Sequence, residues 1–252
     1  MLPIEERDAI NRLVREQVIP AIGCTEPICV ALAVSRATEE LGCRPQRIMA
    51  RLSANILKNA MGVGIPGTGM VGLPIAIALG AIVGKSAYGL EVLRDSTPDH
   101  VKEGQRYIDE QHISISLAED APSKLYVDIT VFDADGREAR AVIAEQHTNF
   151  ILVSRGSEVL LDKTMDGGEE NTEKKEEVLQ LNMRKVFDYA TTSPLEELEF
   201  INEAKRLNEN AAARSLEGNY GHCLGKVLSR PLGRGIMGES IFSHILSSTS
   251  CA

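Results

Sequence analysis

An uncharged stretch of 26 residues between Lys58 and Lys85 constrains the fold of this chain more than any other feature. Its length passes the crude test for a membrane-spanning helix, which needs roughly 20 apolar residues. Its composition fails that test, because seven of the residues are Gly and because Pro66 and Pro74 interrupt the run. The uninterrupted apolar part, 75–83, is too short to cross a bilayer. We therefore predict a buried loop followed by a core helix, and no membrane partner.

Helix signals dominate the N-terminal part of the chain. Apolar residues at helical spacing predict a surface helix over 3–18. A second helix is predicted over 25–41, with Thr25 as its N-cap and an acid and a proline in its first turn. Periodicity does not decide between a strand and a helical lead-in for 47–53. Residues 1–100 are therefore interpreted as a helical segment that carries the glycine-rich substrate loop.

The period of the apolar residues changes to two after His112. Turn signals such as Asp135-Gly136 separate the later apolar runs. This pattern predicts an antiparallel β-meander over 101–162, with one face on a core, and an α+β fold in which helices pack against the meander. Its strands are expected at 113–117, 125–131, 137–145, 149–154 and 158–161.

The last third of the chain is predicted to be helical. Residues 163–177 are dominated by charged side chains and indicate a solvated linker between domains. Ser193 to Glu196 has the pattern of a capping box, which predicts a helix that reaches about Ser215. Residues 178–252 are thus interpreted as the start of a helical domain that is incomplete, with a last helix that begins at about Glu239 and is cut off at Ala252.

Composition limits the partners and the compartment. The formal net charge of −9, with no basic face and no Trp, argues against a nucleic-acid partner. The first twenty residues are too charged for a signal peptide, so a cytoplasmic location is expected. Five cysteines without a C-x-x-C pair predict reduced thiols and no zinc site from this chain alone.

The glycine-rich run offers a candidate anion site. Gly62 to Gly67 matches G-x-G-x-x-G by count, but Pro66 spoils the helix opening that a dinucleotide site needs. The glycines instead allow consecutive backbone N–H groups to converge on a carboxylate or phosphate, with a helix from about Val71 aimed the same way. The alternative, that these glycines only let helices pack closely, has equal weight. The candidate ligands of the anion are Asn55, Lys58, Asn59, Gly64, Gly67, Thr68 and Gly69.

Two further groups are candidates for chemistry. Cys24 precedes the predicted N-cap, where the helix dipole and free N–H groups favour a thiolate, so it is the most reactive-looking thiol. His147, Thr148 and Asn149 interrupt two strand patterns and could place an acid or base with two donors at a sheet edge. A simple hairpin connection is the more ordinary interpretation of those three residues.

Three motifs at these positions carry a family resemblance: Gly23–Pro27 (Gly-Cys-Thr-Glu-Pro), Ser53–Met61 (Ser-Ala-Asn-Ile-Leu-Lys-Asn-Ala-Met) and Gly62–Gly69. They resemble the L-cysteine desulfidase family, also called UPF0597, which is related to the alpha part of iron-sulfur L-serine dehydratases. The resemblance implies a lyase that converts L-cysteine to pyruvate, ammonia and sulfide with a 4Fe-4S cluster. It also implies that Cys24 acts as the acid or base and that His147, Thr148 and Asn149 belong to the substrate site.

The chain departs from that family in one respect. Family members are longer, and their cluster cysteines lie in a C-terminal helical half that neither Cys223 nor Cys251 matches, so no metal ligand is assigned here. We expect an amino-acid substrate and a second chain or C-terminal half that completes the enzyme. This chain alone is expected to have little activity. Whether it forms a homodimer stays open. Two alternatives remain: a non-catalytic amino-acid binding or regulatory module, and an L-serine dehydratase subunit.

Overall fold

The computed structural model describes residues 2–163 and 181–218. It is an α+β arrangement of helices with a mixed sheet, which confirms the predicted fold class. Within these residues the helices are α1 (Ile4–Gln17), α2 (Thr25–Leu41), α3 (Ala54–Ala60), α4 (Leu73–Ile82), a 3-10 helix (Ser86–Glu91), α5 (Pro98–Asp109), α6 (Met183–Thr192), α7 (Leu195–Leu198) and α8 (Ile201–Glu217). The strands are β1 (Arg47–Leu52), β2 (Gly64–Ile65), β3 (Met70–Val71), β4 (Ile113–Leu117), β5 (Tyr126–Phe132), β6 (Glu138–Ala144), β7 (Phe150–Arg155) and β8 (Glu158–Asp162).

The chain divides into two compact units. One is Ala21–Gly168, and the other joins Met1–Pro20 to Glu169–Cys251. Most of the predicted linker, the predicted helix after Glu239, and Cys223 and Cys251 lie outside the described residues.

The sheet of the Ala21–Gly168 unit corrects one part of the predicted meander. The described strands run in the order β4-β1-β5-β6-β7-β8, and β5 to β8 are antiparallel neighbours as expected. The strand β4 does not pair with β5, because β1 lies between them and pairs in parallel with β4. Parallel neighbours need a crossover connection, and the helices between β1 and β4 supply it. The segment 47–53, which periodicity left undecided, thus forms the strand β1. It belongs to the same sheet as the meander, although it lies within residues 1–100, which were interpreted as helical.

The core of this unit lies between the sheet and the helices α2 and α4. The helix α2 packs across β5, β6 and β7, and α4 packs against α2. From Ile28 to Val34 the side chains of α2 are almost completely buried, and so are those of α4 from Ile75 to Leu79. The uncharged stretch therefore contains the predicted core helix. The loop before it is not buried as predicted, because most of its residues are half-buried or exposed and it contains the strands β2 and β3.

The close approach of α4 to α2 depends on Gly80. A Cβ added at Gly80 would lie 2.7 Å from the carbonyl oxygen of Ala31 and 3.2 Å from Cβ of Val34. In a free helix Ala is preferred to Gly by about 1 kcal/mol. Overpacking a core costs about 1 to 3 kcal/mol, so the overlap outweighs the gain in helix propensity.

We therefore expect Gly80→Ala to lower the free energy of unfolding by up to about 2 kcal/mol, the overlap less the propensity gain. Urea denaturation followed by circular dichroism measures it. Gly62→Ala is the matched control, since nothing lies within 4 Å of a Cβ there, and it should change stability by less than about 0.5 kcal/mol. Equal stability of the two variants would show that the helices tolerate the extra methyl group.

The second unit corrects the predicted capping box. Ser193 follows α6, its backbone N–H donates to the carbonyl oxygen of Tyr189, and its hydroxyl has no hydrogen-bond partner among the described residues. The chain then forms the four-residue α7 and, from Ile201, the helix α8. Ser193 is the C-cap of α6, and the N-cap of α7 is Pro194, so the predicted capping box does not form. Within this unit Arg7 of α1 donates two hydrogen bonds of 3.0 Å to Glu197.

Candidate functional site

Cys24 is the residue at which the buried helix α2 begins. Its backbone is extended, with φ −69° and ψ 133°, and Thr25 is the first helical residue. The N-cap is therefore Cys24 and not Thr25, a correction of one position. The Cys24 side chain makes no capping hydrogen bond to the helix backbone. It is half-buried and free to interact with other side chains of the first turn.

The Cys24 thiol is hydrogen-bonded to a carboxylate. Its Sγ donates to Oε2 of Glu26 at 3.0 Å, and the Thr25 hydroxyl donates to the same oxygen at 3.3 Å. The other oxygen, Oε1, accepts a hydrogen bond of 3.2 Å from the side-chain amide of Asn59 on α3. The predicted site residues Cys24 and Asn59 are thus brought together by Glu26, which lies between them.

Sequence reasoning treated Glu26 only as an acid that favours the start of a helix. The available signal was its place in the Gly23–Pro27 motif, two residues after the cysteine. At the second position of a helix a side chain can turn back toward the N-cap, because the first turn leaves that space open. The carboxylate is therefore a member of the site that the sequence analysis missed.

In the pair formed by Cys24 and Glu26, the proton lies on the sulfur. Burial raises the pKa of the Cys24 thiol, and the hydrogen bond and negative charge of Glu26 raise it further. A backbone N–H at Glu26 acts in the opposite direction, but it is outweighed. The prediction that the helix N-terminus favours a thiolate is therefore wrong for the resting protein.

Glu26 shows the opposite shift. Burial pushes the pKa of its carboxyl group up, but hydrogen bonds from Cys24, from its own backbone N–H and from Asn59 lower it, with help from His147. The net pKa lies below its usual range. The resting pair at neutral pH is thus a neutral thiol beside an ionised carboxylate.

Alkylation of Cys24 by iodoacetamide is expected to reach half its maximal rate above pH 8.5, the ordinary midpoint of a free thiol, because only the thiolate reacts. Mass spectrometry of the digested protein measures the rate at each pH. The exposed Cys43 controls for reagent activity, and Cys29 should stay unmodified because it is fully buried. A Cys24 midpoint below pH 8.5 would contradict the described pair.

The glycine-rich run forms a small hairpin beside Cys24. Strands β2 and β3 pair, and Pro66 at the turn lies against Gly23, where an added Cβ would be 2.7 Å from Pro66 Cγ. Gly23 has a φ of +82°, so its backbone also has a conformation that favours Gly. The hairpin turn is therefore held directly next to the start of α2.

Several of the predicted anion ligands lie in the hairpin. Gly67 and Gly69 have positive φ, open space where a side chain would be, and backbone N–H groups without a hydrogen bond inside the described chain. The Thr68 hydroxyl is used within the turn, where it donates to the carbonyl oxygen of Ile65 at 2.6 Å. Gly64 lies in β2 and pairs with Val71, so it is a strand residue and not part of the turn. The following helix, α4, begins at Leu73.

The flanking donors lie on α3. Asn55, Lys58 and Asn59 are at spacings of three and four residues and therefore share one face of that helix. Ser53 fixes the start of α3, since its hydroxyl accepts from the backbone N–H of Ile56 and donates to the carbonyl oxygen of Lys124. Asn55 and Lys58 are exposed, and Lys58 forms no ion pair with any other described residue.

His147, Thr148 and Asn149 form the connection between β6 and β7. Asn149 is used within that connection, because its side-chain amide donates to Ala144 and its oxygen accepts from Lys163. Thr148 is exposed. His147 is close enough to Glu26 to lower the pKa of its carboxyl group. The hairpin interpretation is thus correct. His147 in addition interacts electrostatically with Glu26.

The described residues offer no cluster of metal-binding side chains. Among the described residues no group of three or more His, Cys, Asp or Glu side chains could hold a metal ion. Cys29, four helical residues after Thr25, is fully buried in the core. The described donor set therefore does not fit an iron-sulfur cluster.

The described residues define an α+β protein with a thiol–carboxylate pair at the start of a buried helix. None of its described helices combines the length and the apolar composition that a membrane span requires.

Nearly the whole chain is homologous to proteins named UPF0597. It is 58% identical over 247 residues to a UPF0597 protein of Bacteroides fragilis, which is 98% of this chain and 57% of that protein. The UPF0597 protein of Phocaeicola vulgatus is 58% identical over 253 residues, 100% of this chain and 58% of its own length. That of Porphyromonas gingivalis is 41% identical over 246 residues, 96% of this chain and 57% of its own. The resemblance to UPF0597 proteins is confirmed at this level.

The chain spans less than three-fifths of the length of these relatives. No protein-family model matches it. No solved structure matches it either.

Proposed function

We propose that this chain supplies the substrate-binding part of a lyase that eliminates the β-substituent of a small amino acid, with L-cysteine as substrate and pyruvate, ammonia and sulfide as products. The observation that carries the proposal is the hydrogen bond from Cys24 to Glu26 beside the Pro66 turn. A proton-transfer pair next to exposed backbone N–H groups suits a reaction that removes a proton next to a carboxylate. The family resemblance of the motifs supports the same reaction.

The reaction needs a base for the α-proton and a place for the leaving electron pair. The Cα–H bond breaks as its proton passes to the base, a Cα–Cβ double bond forms, and the Cβ–S bond breaks with its electron pair on sulfur. The resulting enamine gains a proton at Cβ and loses one from nitrogen to give the imine, and water then replaces nitrogen, which gives pyruvate and ammonium. Cys24 is proposed as the group that receives the α-proton.

The substrate carboxylate is proposed to bind at the hairpin turn. Gly67 and Gly69 offer backbone N–H groups that are not used within the described chain, and Lys58 offers a positive charge that forms no ion pair with the other described residues. Asn55 adds a neutral donor on the same helix face as Lys58. A planar anion held there would place its α-carbon on the side of Cys24, because Pro66 of the turn lies against Gly23.

The 4Fe-4S cluster is a proposal from the resemblance alone. When bound, such a cluster would accept the leaving sulfur as a Lewis acid. The described residues do not provide its ligands, so no step is derived through it. A second chain or a C-terminal half is proposed as their source, since the relatives are longer than this chain.

The test is an anaerobic assay of the protein as its gene encodes it, after treatment with iron and sulfide. L-Cysteine should give pyruvate and sulfide in equal amounts. Pyruvate from L-serine with no turnover of L-cysteine would show that L-serine is the substrate and would indicate a serine dehydratase. Binding of both amino acids by calorimetry, with no pyruvate from either, would overturn the lyase and favour a regulatory module.

A further inference from the structure

The proposed elimination places the α-proton on Cys24 and assigns no proton to Glu26, yet both carboxylate oxygens of Glu26 accept a hydrogen bond. Oε1 accepts from Asn59 at 3.2 Å, and Oε2 accepts from Cys24 at 3.0 Å. A carboxylate that only stabilised the start of α2 would need neither contact, because an acid in the first turn already interacts with the helix dipole. The second contact aligns one oxygen with the Cys24 sulfur.

We infer that Glu26 is the terminal proton acceptor of a relay, in which Cys24 receives the α-proton of the substrate while its own thiol proton passes to Glu26 Oε2. The inference rests on the proposed lyase function. Glu26 acts through Cys24 and is therefore a positioning residue, and Asn59 orients it.

The relay answers a difficulty in using Cys24 as a base. A neutral thiol has a proton to give and accepts another only if the first one leaves. The acceptor that the described structure places within hydrogen-bond distance of the sulfur is Glu26. Its charge state also fits, since hydrogen bonds keep the pKa of the carboxyl group low enough for it to be ionised at neutral pH.

The proton balance is closed within the pair. The substrate Cα–H bond breaks as a new S–H bond forms, and the old S–H bond breaks as an O–H bond forms at Oε2. Nothing is oxidised or reduced. The carboxyl proton is then available to the products or to water, which restores the resting pair.

Among the described residues, few titratable groups interact with Glu26. Glu26 raises the pKa of Cys24 and of Cys29 on α2, and His147, in the connection between β6 and β7, lowers the pKa of Glu26. Lys58 is the charged residue that α3 contributes, and the hairpin after it has none. A change in the pH dependence on substitution of Glu26 can therefore be traced to a small set of groups.

The test compares Glu26→Gln with the matched control Glu119→Gln, which removes an exposed charge elsewhere in the same unit. Glutamine can accept a hydrogen bond from Cys24, but it cannot take the proton. The relay predicts that E26Q moves the midpoint of Cys24 alkylation to lower pH, yet lowers kcat for L-cysteine by at least about 10-fold. E119Q should change neither value.

These two readouts move in opposite directions, which a merely structural role would not produce. A wild-type kcat in folded E26Q, or an unchanged alkylation midpoint, overturns the relay. If E26Q does not fold, Asn59→Ala is measured instead. This variant keeps the Glu26 carboxylate but removes the hydrogen bond that Asn59 donates to it. A wild-type kcat in N59A overturns the relay as well. Absence of turnover in the wild-type protein is a different result, since it overturns the proposed function on which the relay depends.

Discussion

Replacing Cys24 by Ala is expected to lower kcat for L-cysteine by about 100-fold to 10,000-fold, the usual contribution of a positioned acid or base. The sulfur is the atom that is proposed to receive the α-proton, and it already makes the 3.0 Å hydrogen bond to Glu26. Alanine removes that atom and leaves the carboxylate without its donor. Pyruvate formation by the anaerobic protein measures the effect.

Cys43→Ala is the matched control for this substitution. Cys43 is exposed and follows α2 at its other end, so its removal should leave kcat unchanged. Circular dichroism checks that both variants are folded. Full turnover by C24A would remove Cys24 from the reaction, whatever the role of its neighbours.

Replacing Gly23 by Ala is expected to lower the free energy of unfolding by about 2 to 5 kcal/mol. A left-handed conformation costs a residue with a side chain about 1 to 2 kcal/mol. The overlap of its Cβ with Pro66 adds about 1 to 3 kcal/mol, as overpacking does elsewhere. The distances of 2.7 and 2.8 Å to two Pro66 carbons are shorter than any ordinary contact. Urea denaturation measures the loss.

Gly67→Ala separates the two contributions to that loss. Gly67 has a φ of +77°, close to the +82° of Gly23, but nothing lies within 4 Å of a Cβ there. It should therefore lose only the conformational part, about 1 to 2 kcal/mol. Equal losses in G23A and G67A would mean that Pro66 moves away without cost, and that the turn is not fixed next to Cys24.

The helices were predictable where local signals decide them. The bounds of α2 follow from the apolar run and its acidic first turn, and α4 follows from the uncharged stretch after Pro74. The pairing of β4 with β1 was not predictable, because strand periodicity reports which face is buried but not which strand is the neighbour. The two partners are separated by about sixty residues, which form helices, loops and the β2–β3 hairpin.

The site shows the same limit. Cys24 and Asn59 were candidates from the sequence, since each belongs to a motif of polar residues beside glycines. Their connection through Glu26 depends on the packing of α3 against α2, which no local pattern contains. The predicted protonation state of Cys24 was wrong for a related reason. The helix N-terminus lowers the pKa of a thiol, but burial and a neighbouring carboxylate raise it more.

The most direct test of the account follows the α-proton itself. L-Cysteine labelled with deuterium at Cα is incubated anaerobically with the protein, and deuterium in the water is measured alongside pyruvate. We predict that wild type releases deuterium and pyruvate in equal amounts and that C24A releases neither above background. Release of deuterium by C24A at the wild-type rate would contradict the account, because another group would then remove the proton.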